Sequence, residues 1–140
     1  MSFKLQKDGA SVLANIVAGT PGYKINGMYV EYHIDPEYAA ADKDAAYFEH
    51  LAGNDGYVRV AVTSAAVDKD RIQFTALIAP QELQKASSIK GVKLTSATLV
   101  YMKNENVAED SIIYTVVFKE PVQVVSNSYI TVHAGLSMGA

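Results

Sequence analysis

Two histidines and five carboxylates crowd one short stretch of this chain. His33, Asp35 and Glu37 stand at every second position, with Asp42, Asp44, Glu49 and His50 close behind. Imidazole nitrogens and carboxylate oxygens are the ligands of divalent cations, and three or more must converge on the ion. On an extended strand, side chains two apart share one face, so the first three residues have the right spacing. Pro36 interrupts the extended backbone between the second and third of them. Asp35-Pro36 also has the form of a helix start, with Asp as N-cap and Pro in the first turn, where carboxylates complement the helix dipole. The stretch therefore reads as a wet strand end running into an acidic helix N-terminus, and no metal ligand is assigned.

Other chemistry is thinner still. The acidic loops at 68–70 and 104–110 lack the spaced ligands and fixed glycine of a calcium loop. Gly19-Thr20-Pro21-Gly22 has too few glycines, and no Lys in place, for a phosphate-cradling loop. Nucleophile elbows and dinucleotide fingerprints are absent. The three histidines, His33, His50 and His133, are far apart in sequence and belong to no motif. A noncatalytic protein without a cofactor is the expectation. A small metal-dependent enzyme built on His33, Asp35 and Glu37 is the weakest of the alternatives.

Tyrosine is the stronger bias, with nine Tyr against four Phe and no Trp. Tyr23, Tyr29, Tyr32, Tyr38, Tyr47 and Tyr57 fall within one third of the chain. An exposed Tyr serves interfaces and stacks on sugar rings, because its ring is apolar and its hydroxyl polar. Tyr also simply suits a half-buried strand. Tyr29 and Tyr57 fall on the wetter faces of their strands. The interface candidates are Tyr23, Tyr29, Tyr57 and Tyr129.

The elements that must carry these residues are short strands with one apolar face each. Val58, Val60 and Val62 alternate with Tyr57, Arg59, Ala61 and Thr63, and Ile72, Phe74, Ala76 and Ile78 alternate with Arg71, Gln73 and Thr75. Side chains on a strand alternate faces, so each segment buries one row and wets the other. In 24–34, Met28, Val30, Tyr32 and Ile34 form the apolar row, and Gly27 marks a bulge or a close approach. Further strands are expected at 10–18, 92–102, 111–119, 122–125 and 129–136, a helix at 43–52 closed by Gly53, and a helical turn at 80–86. The pattern predicts a mainly β fold, an antiparallel, jelly-roll-like β-sandwich with one short helical insertion, as a single domain over residues 1–140.

Composition excludes several classes of partner. The apolar fraction of 49% and charged fraction of 19% are those of a globular chain that can bury about two-thirds of its unfolded surface. A net charge of -3 with no basic block argues against nucleic acid. Without Cys there is neither a disulfide framework nor a thiolate metal site. The N-terminus lacks the apolar core of a signal peptide, and no apolar run approaches membrane-spanning length, so no membrane insertion is expected. These features suit a protein made in the cytoplasm.

The segments Gly22-Tyr23-Lys24-Ile25-Asn26-Gly27-Met28-Tyr29-Val30-Glu31-Tyr32, Ala46-Tyr47-Phe48-Glu49-His50-Leu51, Gly56-Tyr57-Val58-Arg59-Val60, Asp110-Ser111-Ile112-Ile113-Tyr114 and Asn127-Ser128-Tyr129-Ile130-Thr131-Val132 together resemble the small β-rich virion structural proteins of tailed bacteriophages. Such proteins decorate heads or build tail and fibre attachments. The likeness is one of texture over most of the chain, and His133-Ala134-Gly135-Leu136 stands where a closing strand usually carries an aromatic. The resemblance implies a virion protein, assembled in the host cytoplasm, that docks with other virion proteins as a homo-oligomer. The competing expectation is a carbohydrate-binding β-sandwich that takes a surface glycan, although Trp, the commonest sugar platform, is absent.

Overall fold

The computed structural model describes residues 2–5, 7–38, 55–67, 70–83, 86, 89–125 and 128–137. Seven strands, β1 (Ser2–Leu5), β2 (Gly27–Ile34), β3 (Asp55–Ala66), β4 (Arg71–Ile78), β5 (Val92–Tyr101), β6 (Ser111–Gln123) and β7 (Ile130–Ser137), form one antiparallel sheet in the order β1-β6-β5-β2-β3-β4-β7. Within it, β5-β2-β3-β4 is a Greek key: three sequential strands pair in turn, and the fourth returns beside the first.

The expected alternation sets the register. Met28, Val30, Tyr32 and Ile34 of β2 face Val60, Val58 and Gly56 on one side and Leu99, Ala97, Leu94 and Val92 on the other. The Tyr32 ring lies over Gly56, where any side chain would collide with it. Met28, Val30 and Ile34 are fully buried, each contributing about 1.5–3 kcal/mol. A one-residue slip of β2 would put that row on the wrong face, so this central strand pins the sheet.

The strands are mainly β as expected, but they make one curled sheet, a half-barrel, where two face-to-face sheets were anticipated. The reason lies in β3, which pairs through 55–61 with β2 and through 62–66 with β4 and so leaves no break between layers. Register shifts beside Glu31/Tyr32 and between Leu94 and Ser96 add local twist. The curl brings Phe74, Ala76 and Ile78 of β4 and Val132, Ala134 and Leu136 of β7 into the same core as the β2 row.

The strand expected at 10–18 is instead part of a helix, α1 (Lys7–Val17), which packs against β6. A short apolar run fits either structure. Here Val12 with Ile16 and Leu13 with Val17 stand at i,i+4 spacing, and packing against the sheet favours the helix. Gly19 at positive φ ends it: its amide donates to the Ile16 carbonyl and that of Thr20 to the Asn15 carbonyl, a Schellman closure. The expected pieces 111–119 and 122–125 merge into β6, and the turn at 80–86 appears as a 3-10 turn over Pro80–Glu82. The helix expected at 43–52 lies outside the described residues. No helix among the described residues is long and apolar enough to cross a membrane.

Candidate functional site

Tyr29 and Tyr57 sit on the outer face of β2 and β3, opposite Arg59 and Glu31 respectively. That face was expected to be wet, and the structure corrects this: both tyrosines are buried. Residues 102–110 fold over them. Asn26 anchors the start of that segment, its side-chain amide donating to the Met102 carbonyl at 2.9 Å and its side-chain oxygen accepting from the Met102 amide at 2.7 Å. Asp110 anchors the end. Its carboxylate accepts from Arg59 Nε at 2.7 Å, from Arg59 Nη2 at 2.8 Å and from the Tyr29 hydroxyl. Arg59 Nη2 also donates to the Asn104 carbonyl at 2.6 Å. The Tyr29 and Tyr57 rings pack tilted, 5.1 Å apart, with Val100, Met102 and Val107 around them.

The electrostatics follow from this cover. Burial, and then the hydrogen bond to Asp110, push the Tyr29 phenol above its ordinary range. The Asp110 carboxylate holds the Arg59 guanidinium above its ordinary value, against the effect of burial. Tyr29 therefore stays neutral and donates, and Arg59 stays charged. The cluster is a lock that holds the 102–110 segment on the sheet. Nothing in the sequence marks Arg59 and Asp110 for this role, because they stand 51 positions apart.

The other two tyrosine candidates do reach solvent. Tyr23 is partly exposed and packs on Tyr101, with ring centres 5.2 Å apart. Tyr129, 62% exposed, precedes β7.

The histidine and carboxylate cluster does not converge. His33 Nδ1 lies 2.6 Å from Asp55 Oδ1, its cross-strand partner. The chain turns at Pro36 into a 3-10 turn (Pro36–Tyr38), which carries Glu37 away from the strand direction. Among the described residues, no three His, Asp or Glu side chains are placed to hold a metal ion. Asp42, Asp44, Glu49 and His50 lie outside those residues. His133 sits on the outer face of β7, its Nδ1 within 2.6 Å of Gln73 Nε2 and 3.1 Å of Thr75 Oγ1. An open cleft of about 660 Å3 lies just beyond the end of β2, lined by Asp35, Glu37, Tyr38, Lys90, Gln123 and Val125.

The two edges of the sheet differ in kind. At one end β1 covers only Tyr114–Val117 of β6, and the rest of β6 carries Lys119, Glu120 and Pro121. Charges and proline on an edge are what keeps a further strand from adding. At the other end β7 pairs with β4 through eight residues without a shift. Its sequence, Ile-Thr-Val-His-Ala-Gly-Leu-Ser, has no charged residue and no proline. No strand among the described residues pairs with its outer side. Tyr129 and the exposed Leu77 flank it.

No protein-family model, no curated protein and no solved structure matches this chain.

Proposed function

We propose that this chain is a noncatalytic structural protein that works by assembly, and that its setting is the virion of a tailed bacteriophage, built in the host cytoplasm. The observation that carries the assembly reading is the β7 edge: eight regular residues without charge or proline, with no strand among the described residues on its outer side. The texture of the sequence supports the virion setting. In this reading the half-barrel works as a jelly-roll-like sandwich, with β4 and β7 as the second layer over β2 and β5. The core shared by all four strands supports that view.

Mass spectrometry of purified particles, released from cells that carry the coding sequence, tests the setting. Peptides of this chain in fixed ratio to a capsid or tail protein are the expected result. Particles that keep those proteins and lack this chain overturn the virion reading.

A second reading, a glycan-binding module, is favoured by one observation. The open cleft sets the Tyr38 ring among Asp35, Glu37 and Gln123, an aromatic surface beside groups that hydrogen-bond hydroxyls. Under this reading a glycan array retains a ligand and Tyr38→Ala loses it. An array with no retained glycan removes it.

A further inference from the structure

Resting on the assembly reading above, we infer that the partner of the β7 edge is the β7 edge of a second copy of this chain, joined antiparallel across a two-fold axis through His133. The two edges are not equally able to pair. Residues 118–123 of β6 carry Lys119, Glu120 and Pro121, and β1 is only four residues long, so the β6/β1 end is poorly suited to receive a strand. Head-to-tail pairing of β7 with that end is therefore disfavoured. What remains between identical copies is β7 against β7, an isologous contact that closes at two subunits. An uncharged edge meets its own copy without repulsion.

The alternation of β7 then fixes where the axis passes. Ile130, Val132, Ala134 and Leu136 face inward, while Thr131, His133 and Gly135 face outward. Opposite residues in an antiparallel pair lie on the same face, so the axis must pass through a residue and not between two. Full overlap of the strand leaves His133 or Ala134 as the centre. An axis at Ala134 sets Ala134 against its own copy and Val132 against Leu136 of the second copy, leaving small against small and large against large. An axis at His133 sets Val132 against Ala134 of the second copy, and Ile130 against Leu136. That repeats the large-against-small pairing already present between β4 and β7, where Phe74 faces Ala134 and Ala76 faces Val132. It also sets Gly135 against Thr131 of the second copy.

Gly135 leaves the outer face of β7 open at this contact. Among the described residues, a side chain there would meet Arg71, whose Cδ lies 3.9 Å from the Cβ position, and its φ is not positive, so position 135 takes a side chain without strain.

Solution mass of the full chain, by size-exclusion chromatography with light scattering, tests this with two double variants. The unaltered chain is expected at twice its monomer mass. Thr131→Glu with Gly135→Glu puts like charges opposite each other at two symmetric places and should abolish the dimer, with an unchanged circular dichroism spectrum. Both sites are exposed, and Arg71 accommodates the new carboxylate at 135. Thr131→Lys with Gly135→Glu sets opposite charges face to face and should restore the dimer. An unaltered chain that stays monomeric, a double-Glu variant that stays dimeric, or a Lys/Glu variant that stays monomeric overturns the inference. A monomer that is nevertheless found in particles leaves the assembly reading standing. A dimer missing from particles leaves this inference standing and overturns the virion setting.

Discussion

The outer face of the β2–β3 pair carries two polar side-chain pairs under different cover, Arg59 with Asp110 and His33 with Asp55. Arg59 and Asp110 are 11% and 2% exposed, with two hydrogen bonds between them. His33 and Asp55 are 45% and 47% exposed, with one contact of 2.6 Å. Arg59 of the first pair and both members of the second stand on these two strands, at the register positions Tyr29–Arg59 and His33–Asp55. The 102–110 segment lies over the first and excludes water. The second faces solvent, where Coulomb attraction is weak and screened. A carboxylate beside a nitrogen-bearing side chain therefore makes a lock at the covered end of the strand pair and a marginal contact at the open end.

Removing one partner of the covered pair should give the largest effect. Asp110→Ala strips the acceptor from Arg59 and Tyr29 together and leaves a nearly buried guanidinium, hydrogen-bonded to the Asn104 carbonyl, without its carboxylate partner. Breaking such a pair costs about 3–5 kcal/mol. Urea unfolding should show a midpoint shifted down by that free energy with little change in slope. Replacing Arg59 by Met and Asp110 by Leu together should cost much less than the single change, because no buried charge is then left alone. A double variant as unstable as the sum of the singles would mean that the pair is not a coupled lock.

Tyr29 should come next. Tyr29→Phe keeps the ring against Tyr57 and removes only the donor to Asp110, a hydrogen bond to a charged group worth about 1.5–3 kcal/mol. The variant also changes alkaline behaviour. The folded protein holds the Tyr29 proton above the value of the unfolded chain, about 10. The contribution of the neutral phenol is thus complete below about pH 10 and is lost as pH rises through the raised folded value. Stability measured against pH should fall over that window in the unaltered chain and fall less steeply in Tyr29→Phe. Equal slopes would show that the phenol is not protected in the folded state.

This comparison also shows what could be read from the sequence. The apolar rows of β2, β3 and β4 are visible as period-two patterns, because burial of one face leaves that mark on every second residue. The strands expected at 92–102 and 129–136 match β5 and β7 to within one residue at each end. Cover leaves no such mark. Arg59 reads as an ordinary solvent-facing residue between Val58 and Val60, and Asp110 as the last residue of a polar loop. Their meeting depends on a fold-back anchored by Asn26, 76 positions from Met102. The same gap explains Tyr29 and Tyr57, whose wetter face is roofed by a distant segment. α1 was missed for a different reason: nine mostly apolar residues fit either period, and contact with β6 decides between them. The β7 edge, unpaired among the described residues, was only half legible. Its alternation shows in the sequence, whereas its place at the end of the sheet depends on its pairing with β4, far away in the chain.

The smallest effect should come from the open pair. Asp55→Asn keeps the size of the side chain and the backbone pairing with His33, and removes the charge. An exposed pair of this kind contributes about 0–1 kcal/mol, less as salt rises. The variant should therefore unfold within that margin of the unaltered chain at low salt, and coincide with it at high salt. His33→Ala should behave alike, and the two changes together should cost no more than either alone. A loss as large as that of Asp110→Ala would mean that the His33 end of the strand pair is covered too, and the contrast between the two ends would disappear.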